Sequence, residues 1–378
     1  MKNWGHLRRR ALLCLGSLVA GLTVGGCSAE HVVGSLGFGV AARYRDTGAE
    51  QLVVGDFDGD GQSDVVTQKS DGVTVCLRAG SALGTLGAAR CQSLSDAATA
   101  IAALPQPTGP TWLLRASSAL STWTLGADGM FGRTAKLSLA APTAARGLQL
   151  ADLDADGRLD VLVAEPAPSQ LEAVLSTAAG LQQAGVYPLV AAAQTLLYRD
   201  LDGDRHKELA VLARDSIELW GERGVARWAS CAKPHFSQPI GLWAVSRWVQ
   251  GGTALLVVDA ATGLLNVMRA QSAMDFVFVC GEVALLPGVV GGAASGWLAQ
   301  TADVDGDGED ELILAEPSGR VSVFVARDGD VTRLTEASFG TAVGSMTLAD
   351  LNHDELPEIL AVGSRGDEVL VLSNLFRK

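Results

Sequence analysis

From Phe38 to the C terminus, apolar and polar positions alternate in short runs separated by turns rich in Gly, Ser and Asp. Gln51–Phe57, Asp64–Gln68, Val73–Arg78 and Ala88–Leu94 form one such set. Period-two alternation places successive side chains on opposite faces, and Gly-rich turns bound each run, so the pattern predicts strands rather than helices. The set reads as strand, loop, strand, turn, strand, turn, strand.

The loop between the first and second strands carries the most distinctive residues. In Asp303, Asp305, Asp307 and Glu311, carboxylates occupy positions 1, 3, 5 and 9, and the apolar run Leu312–Ala315 follows at once. Four more copies share the register: Asp56, Asp58, Asp60 and Asp64; Asp152, Asp154, Asp156 and Asp160; Asp200, Asp202, Asp204 and Glu208; and Asp350, Asn352, Asp354 and Glu358. Carboxylates gathered in one partly desolvated turn repel by several kcal/mol, and a hard cation removes that cost. Calcium accepts six to eight oxygens in a forgiving geometry, and Gly at position 6 supplies the sharp turn. The loops join strands, and the first has Thr67 where a helix-flanked calcium loop needs Glu at position 12. An acidic turn bound only by water is the plainer alternative, and five copies in register speak against it. The expectation is up to five structural Ca2+ ions.

First aspartates at 56, 152, 200, 303 and 350 are spaced by 96, 48, 103 and 47 residues, so the unit is about 48 and two units have lost their acids. Those two are Ala103–Thr111, before Trp112, and Val245–Thr253, before Ala254–Val258. Four antiparallel strands per unit of this length make a propeller blade. The expected fold is all-β, a seven-bladed propeller of four-stranded antiparallel blades. The last unit stops after its third strand, Glu368–Asn374, while Phe38–Gly48 parallels Phe131–Leu139. The N-terminal strand is therefore expected to close the last blade, leaving no open edge.

Residues 1–26 stand apart as a signal peptide: Lys2 and Arg8–Arg10, then the apolar Ala11–Val24, ending at Val24-Gly25-Gly26-Cys27. That ending resembles a bacterial lipobox, with Val24 where Leu is usual, and implies lipidation of Cys27; ordinary cleavage nearby is the alternative. Residues 27–37 then form a short tether and 38–378 the propeller. The same resemblance, with Ser28 after the Cys, implies a lipid-anchored protein of the cell envelope sorted to the outer membrane. Loss of the segment's four cations from 29, against 42 acids, leaves a net charge of about −17, which argues against nucleic acid as a partner. Cys76, Cys91, Cys231 and Cys280 permit two disulfides in an exported chain. Cys76 with Cys91, on neighbouring strands, is the favoured pair, Cys231 with Cys280 one repeat apart is the second, and buried free thiols are the alternative.

These motifs resemble FG-GAP/VCBS repeats and the calcium-bearing propeller of integrin α-subunits over most of residues 38–378. The resemblance implies metal ligands at positions 1, 3, 5 and 9 and a backbone carbonyl at position 7. Arg205 and Glu355 replace the turn Gly and Asn352 removes a charge, so the loops at 56, 152 and 303 rank above that at 200, with 350 last.

Catalytic signatures such as HExxH or GxSxG do not occur, and His31, His206, His235 and His353 are the only histidines after the signal. Two functions follow: a membrane-anchored binding or adhesion module for a protein or glycan, and, as the alternative, an exported enzyme acting on polysaccharide as lyase or hydrolase. Trp112, Trp123 and Trp220 read as core. Two long fourth-to-first links, Ala232–Gly241 and Gly281–Gly296, flank the fifth unit opposite the acidic loops. Ligands of the integrin propeller meet that face, so His235, Phe236, Trp243 and Trp297 are the expected partner site; a tolerated surface insertion is the alternative.

Overall fold

The computed structural model describes residues 37–39, 41–140, 147–189, 191–193, 195–199, 207–213, 217–220, 226–228, 239–245, 254–259, 264–270, 278–285, 297–327 and 330–376. A short strand β1 (Ala42–Arg45) comes first, and six units of four strands follow. Unit one is β2 (Ala49–Gly55), β3 (Asp64–Lys69), β4 (Thr74–Arg78) and β5 (Arg90–Ser93). Unit two is β6 (Ala100–Leu104), β7 (Trp112–Ala116), β8 (Ala119–Leu125) and β9 (Phe131–Ser138). Unit three is β10 (Gly147–Ala151), β11 (Asp160–Pro166), β12 (Ser169–Thr177) and β13 (Gly180–Pro188). Unit four is β14 (Thr195–Arg199), β15 (Glu208–Leu212), β16 (Ile217–Trp220) and β17 (Ala226–Trp228). Unit five is β18 (Pro239–Val245), β19 (Ala254–Asp259), β20 (Leu264–Ala270) and β21 (Phe278–Leu285). Unit six is β22 (Leu298–Ala302), β23 (Glu311–Ala315), β24 (Arg320–Arg327) and β25 (Asp330–Ser338). Three strands close the chain: β26 (Val343–Ala349), β27 (Glu358–Gly363) and β28 (Glu368–Leu372).

Among the described residues these strands pair into seven four-stranded antiparallel sheets, the last of them β26-β27-β28-β1. First strands touch in cyclic order, β2 beside β6, then β10, β14, β18, β22, β26 and back to β2, so the sheets stand as blades around a ring. Second and third strands read as near-continuous apolar runs because both their faces are covered: Leu312, Ile313, Leu314 and Ala315 are all buried. Phe57, Val66, Val75 and Leu77 of blade one interlock with Ile101, Leu113, Trp123 and Phe131 of blade two, and similar clusters join other neighbours. Each fully buried Leu, Val or Phe contributes about 1.5–3 kcal/mol, which makes these inter-blade seams the main source of stability.

The closing strand takes the place expected for it. Ala42 pairs with Val371 and Arg45 with Glu368, Phe38 bridges to Asn374, and the Gly39 amide donates to the Ser373 carbonyl at 2.8 Å. Cys76 faces Cys91 across β4 and β5 and the two are disulfide-bonded. Cys231 and the side chain of Cys280 lie outside the described residues.

Several strand boundaries differ from expectation by one to a few residues, and three of these bear on the loops. Strand β2 ends at Gly55, so Phe57 belongs to the loop and serves as its buried anchor. Strand β18 begins at Pro239 and β21 runs to Leu285, so sheet pairing claims Pro239–Gly241 and Gly281–Leu285 from the two long links. Gly241 and Gly281 fall at register shifts of β18 and β21, where an irregularity carries the strand through a residue that local preference assigns to a turn. The remainders, 232–238 and 286–296, lie outside the described residues.

Candidate metal centres

Register fixes every acidic loop at the same place. The ninth residue opens the second strand and pairs with the last residue of the first: Gly55 with Asp64, Ala151 with Asp160, Arg199 with Glu208, Ala302 with Glu311, Ala349 with Glu358. First-to-second connections all emerge on one face of the ring, and the second-to-third and fourth-to-first links emerge on the other.

Inside a loop the backbone amides organise the carboxylates. Asp56 accepts from the Gly59 amide at 2.7 Å and the Gly61 amide at 3.0 Å, Asp58 from Asp60 at 3.2 Å, and Asp60 from Gln62 at 2.8 Å. Asp303, Asp305 and Asp307 repeat the pattern with Gly306, Gly308, Asp307 and Glu309. This wrapping needs a left-handed backbone at positions 4 and 6: Gly59 and Gly61 have φ of 79° and 84°, Gly306 and Gly308 of 77° and 89°.

The ninth carboxylate is buried and anchored by the second residue's amide. Asp64 accepts from Phe57 at 2.9 Å and Gly80 at 2.8 Å, Asp160 from Leu153 at 2.8 Å and Ser176 at 2.7 Å, and Glu311 from Val304 at 2.9 Å. Phe57 and Val304 are themselves buried and hold the loop to the core. Burial raises the pKa of Asp64 and of Asp160, with the neighbouring acids adding to it. For Glu311 burial, reinforced by Asp305, Asp307 and Asp303, pushes it up to about 8.

Carboxylate oxygens converge in three loops. Asp56, Asp58 and Asp64; Asp152, Asp154 and Asp160; and Asp303, Asp305 and Glu311 each place three oxygens within 4.8 Å of one another. Calcium–oxygen bonds of about 2.3–2.6 Å put opposing ligands about 4.6–5.2 Å apart, so the spacing fits that ion. Asp60, Asp156 and Asp307, at position 5, are not among the converging oxygens and lie exposed.

The last loop departs chemically. The Asn352 amide nitrogen donates to Asp354 at 3.2 Å and to Glu358 at 3.3 Å, supplying from the chain part of the positive charge density that a cation would bring. His353 and Glu355 take φ of 59° and 69° where the other loops favour Gly, a conformation that costs about 1–2 kcal/mol per residue. Burial again raises the pKa of Glu358. In the fourth loop Glu208 opens β15 and is buried, while Asp200, Asp202 and Asp204 lie outside the described residues.

Of the expected partner site, His235 and Phe236 lie outside the described residues, as does the side chain of Trp243, which pairs through β18 with Leu256. Trp297 precedes β22 and is only 8% exposed, packed within the protein rather than presented to solvent. Trp123 is core, as expected, with Arg115 and Arg133 stacked 5.9 and 5.7 Å from its ring centre. The apolar second position, legible as Phe57, Leu153, Leu201, Val304 and Leu351, and the left-handed fourth position were further signals in the loop alignment.

The fold is a β-propeller, and within it the family description "FG-GAP-like repeat" matches residues 303–361. That match spans the converging loop at 303, β23, β24, β25, β26 and the loop at 350. No curated protein matches by sequence. Among solved structures, BBS1N in complex with ARL6DN is similar over 89% of this chain and 98% of its own, at 14% identity and a TM-score of 0.65. Sqt1 of Saccharomyces cerevisiae (12% identity, 88% and 98% covered, TM-score 0.56) and virginiamycin B lyase of Staphylococcus aureus (11%, 88% and 98%, 0.56) share the architecture. At such identities the likeness is one of fold.

Proposed function

We propose that this chain is a calcium-stiffened binding module, held at the membrane by lipid on Cys27, that presents the face opposite its acidic loops to a protein or glycan. The observation that carries the reading is the convergence of three carboxylates, within 4.8 Å, in each of three loops set in one register on one face. Ions there would tie first to second strands and hold the blades rigid, leaving the other face to engage a ligand. Asp56, Asp58, Asp64, Asp152, Asp154, Asp160, Asp303, Asp305 and Glu311 would supply the ligands. The alternating apolar content that builds seven interlocked blades makes a rigid scaffold, and links on such a scaffold are where recognition concentrates.

Two measurements test this. Wild-type protein is expected in the detergent phase and the Cys27→Ala variant in the aqueous phase; equal partitioning of the two removes the anchor. Screening the mature chain against cell-wall glycans and envelope proteins, with and without calcium, is expected to return a ligand whose binding weakens on chelation. Failure of the whole panel would overturn the binding reading.

A further inference from the structure

On the face opposite the acidic loops, blade two and the link that enters it from blade one border an open cavity of about 400 Å³. Ser95–Ala98, in the link from β5 to β6, form one wall. Ser117–Ala119, in the turn from β7 to β8, form another, with Ser121 and Lys136 beside them. Arg115 also lines the cavity, although it is 1% exposed.

Arg115 has no counterpart elsewhere in the ring. Trp112 opens β7 opposite Leu104, and the residue three places along the second strand, Arg115 here, is Thr67 in blade one and Val163, Val211, Val257, Leu314 and Ala361 in the other five, all buried. Across the seam, the side-chain oxygen of Gln68 in blade one is 3.5 Å from the Arg115 guanidinium. A buried cation in a series of uncharged core positions is costly, and chains retain one where it is paired or functional. No carboxylate binds Arg115 directly. Its terminal nitrogens donate to the Asp96 carbonyl at 2.7 Å and the Gly72 carbonyl at 2.5 Å, and its buried Nε has no partner.

The surrounding charge does not cancel it. Asp96 is shared by Arg133 at 2.5 Å and Lys136 at 3.2 Å, so its charge is already met twice over. Asp71, the other nearby acid, is turned to the Val73 and Thr74 amides and the Thr74 hydroxyl. Three cations thus stand against two acids around a polar cavity in a chain whose overall charge is −13. Four serines, Ser95, Ser117, Ser118 and Ser121, stand beside three alanines and the charged groups in its walls, which suits a ligand that carries hydroxyl groups. The volume falls in the lower part of the range for small-ligand sites.

We infer that this cavity is a subsite for a carboxylated sugar, in which the uronate carboxylate sits by Lys136 in the positive field of Arg115 and the serine hydroxyls meet the ring hydroxyls. The inference rests on the binding reading above and gives its ligand a chemical class. Recognition of this kind is steered by charge, so it weakens with salt.

The test titrates the full mature chain with hexagalacturonate, with the neutral galactose hexamer and with poly-L-glutamate, by calorimetry at low and at 0.5 M salt. Hexagalacturonate is expected to bind, the neutral hexamer to bind at least tenfold more weakly, and salt to weaken the acid selectively. Lys136→Glu, at a half-exposed position, is expected to reduce hexagalacturonate binding at least tenfold with an unchanged melting temperature. Ser118→Trp, which fills the mouth, should do the same. Equal binding of acidic and neutral hexamers, indifference to Lys136→Glu, or binding of poly-L-glutamate alone would overturn the assignment. Capture of a neutral glycan or a protein untouched by either variant would leave the binding reading standing without this subsite, whereas an empty panel would remove both.

Discussion

Asp46, in the turn that follows β1, accepts the hydroxyl of Thr67 in blade one at 2.7 Å. Its carboxylate is 3% exposed and is also paired with Lys69 and, at 3.9 Å, with Arg78, while its amide donates to the Asp367 carbonyl of the last blade at 2.8 Å. One residue thus ties the first blade to the last where the ring closes. Arg78 adds a bond to the Arg45 carbonyl and stacks 5.8 Å from the Tyr44 ring. Removing one partner of a buried ion pair leaves the others uncompensated at a cost of about 3–5 kcal/mol. Asp46→Ala is therefore expected to lower the urea midpoint by that order, and an unchanged midpoint would show that the closure does not depend on the pair.

Deleting Phe38–Thr47 exposes the edge of β28 and uncovers the seam that Phe38 packs against. Aggregation or a large loss of stability is expected, because an unpaired apolar edge recruits other strands. Deleting Ser28–Ser35 is expected to leave the melting temperature close to wild type. Equal behaviour of the two truncations, read by light scattering and calorimetry, would contradict closure by β1.

Chelation is expected to lower the melting temperature and added calcium to restore it, since an ion that binds only the folded chain stabilises by mass action. Substituting Asp56, Asp58 and Asp64 together with Asn is expected to remove one ion by native mass spectrometry. An unchanged count would exclude that loop as a site.

The pH dependence of the metal-free protein follows from the buried ninth carboxylates. Glu311 rises from about 4.5 to about 8 on folding. A raised acid binds its proton more tightly when folded, so its contribution is complete below about 4.5 and is lost as pH climbs through about 8. Asp64, Asp160 and Glu358 shift the same way. Each unit is about 1.4 kcal/mol, so metal-free protein is expected to lose several kcal/mol between pH 5 and pH 8, and calcium to reverse the loss. Denaturation midpoints with chelator that rise over this interval would contradict the burial of these acids.

In the last loop, Glu355→Gly relieves a left-handed φ of 69° and is expected to stabilise by about 1 kcal/mol, net of the entropy of Gly. Asn352→Asp removes the amide donor to Asp354 and Glu358 and is expected to destabilise without calcium while raising the affinity of the loop for it. Denaturation of both variants with and without calcium distinguishes the two effects.

Local pattern and repetition carried most of this architecture in the sequence alone. Alternation over five to seven residues marks strands because successive side chains point to opposite faces, and the spacing of Asp56, Asp152, Asp200, Asp303 and Asp350 set the unit even where two loops had lost their acids. The similarity of Phe38–Gly48 to Phe131–Leu139 disclosed the closing strand, because both meet the same neighbour in a blade. Long-range placement decided the rest. Asp46 meets Thr67 and Asp367 only when the ring closes, Arg115 is buried only because blade one packs over β7, and Trp297 is core only because its neighbours cover it. Which carboxylates converge is likewise tertiary: the ninth is drawn in by β-pairing, while the fifth, equally acidic in sequence, is left facing solvent. A residue's local preference is written in its neighbours along the chain, but its burial, its charge partners and its pKa depend on chain segments that only folding brings beside it.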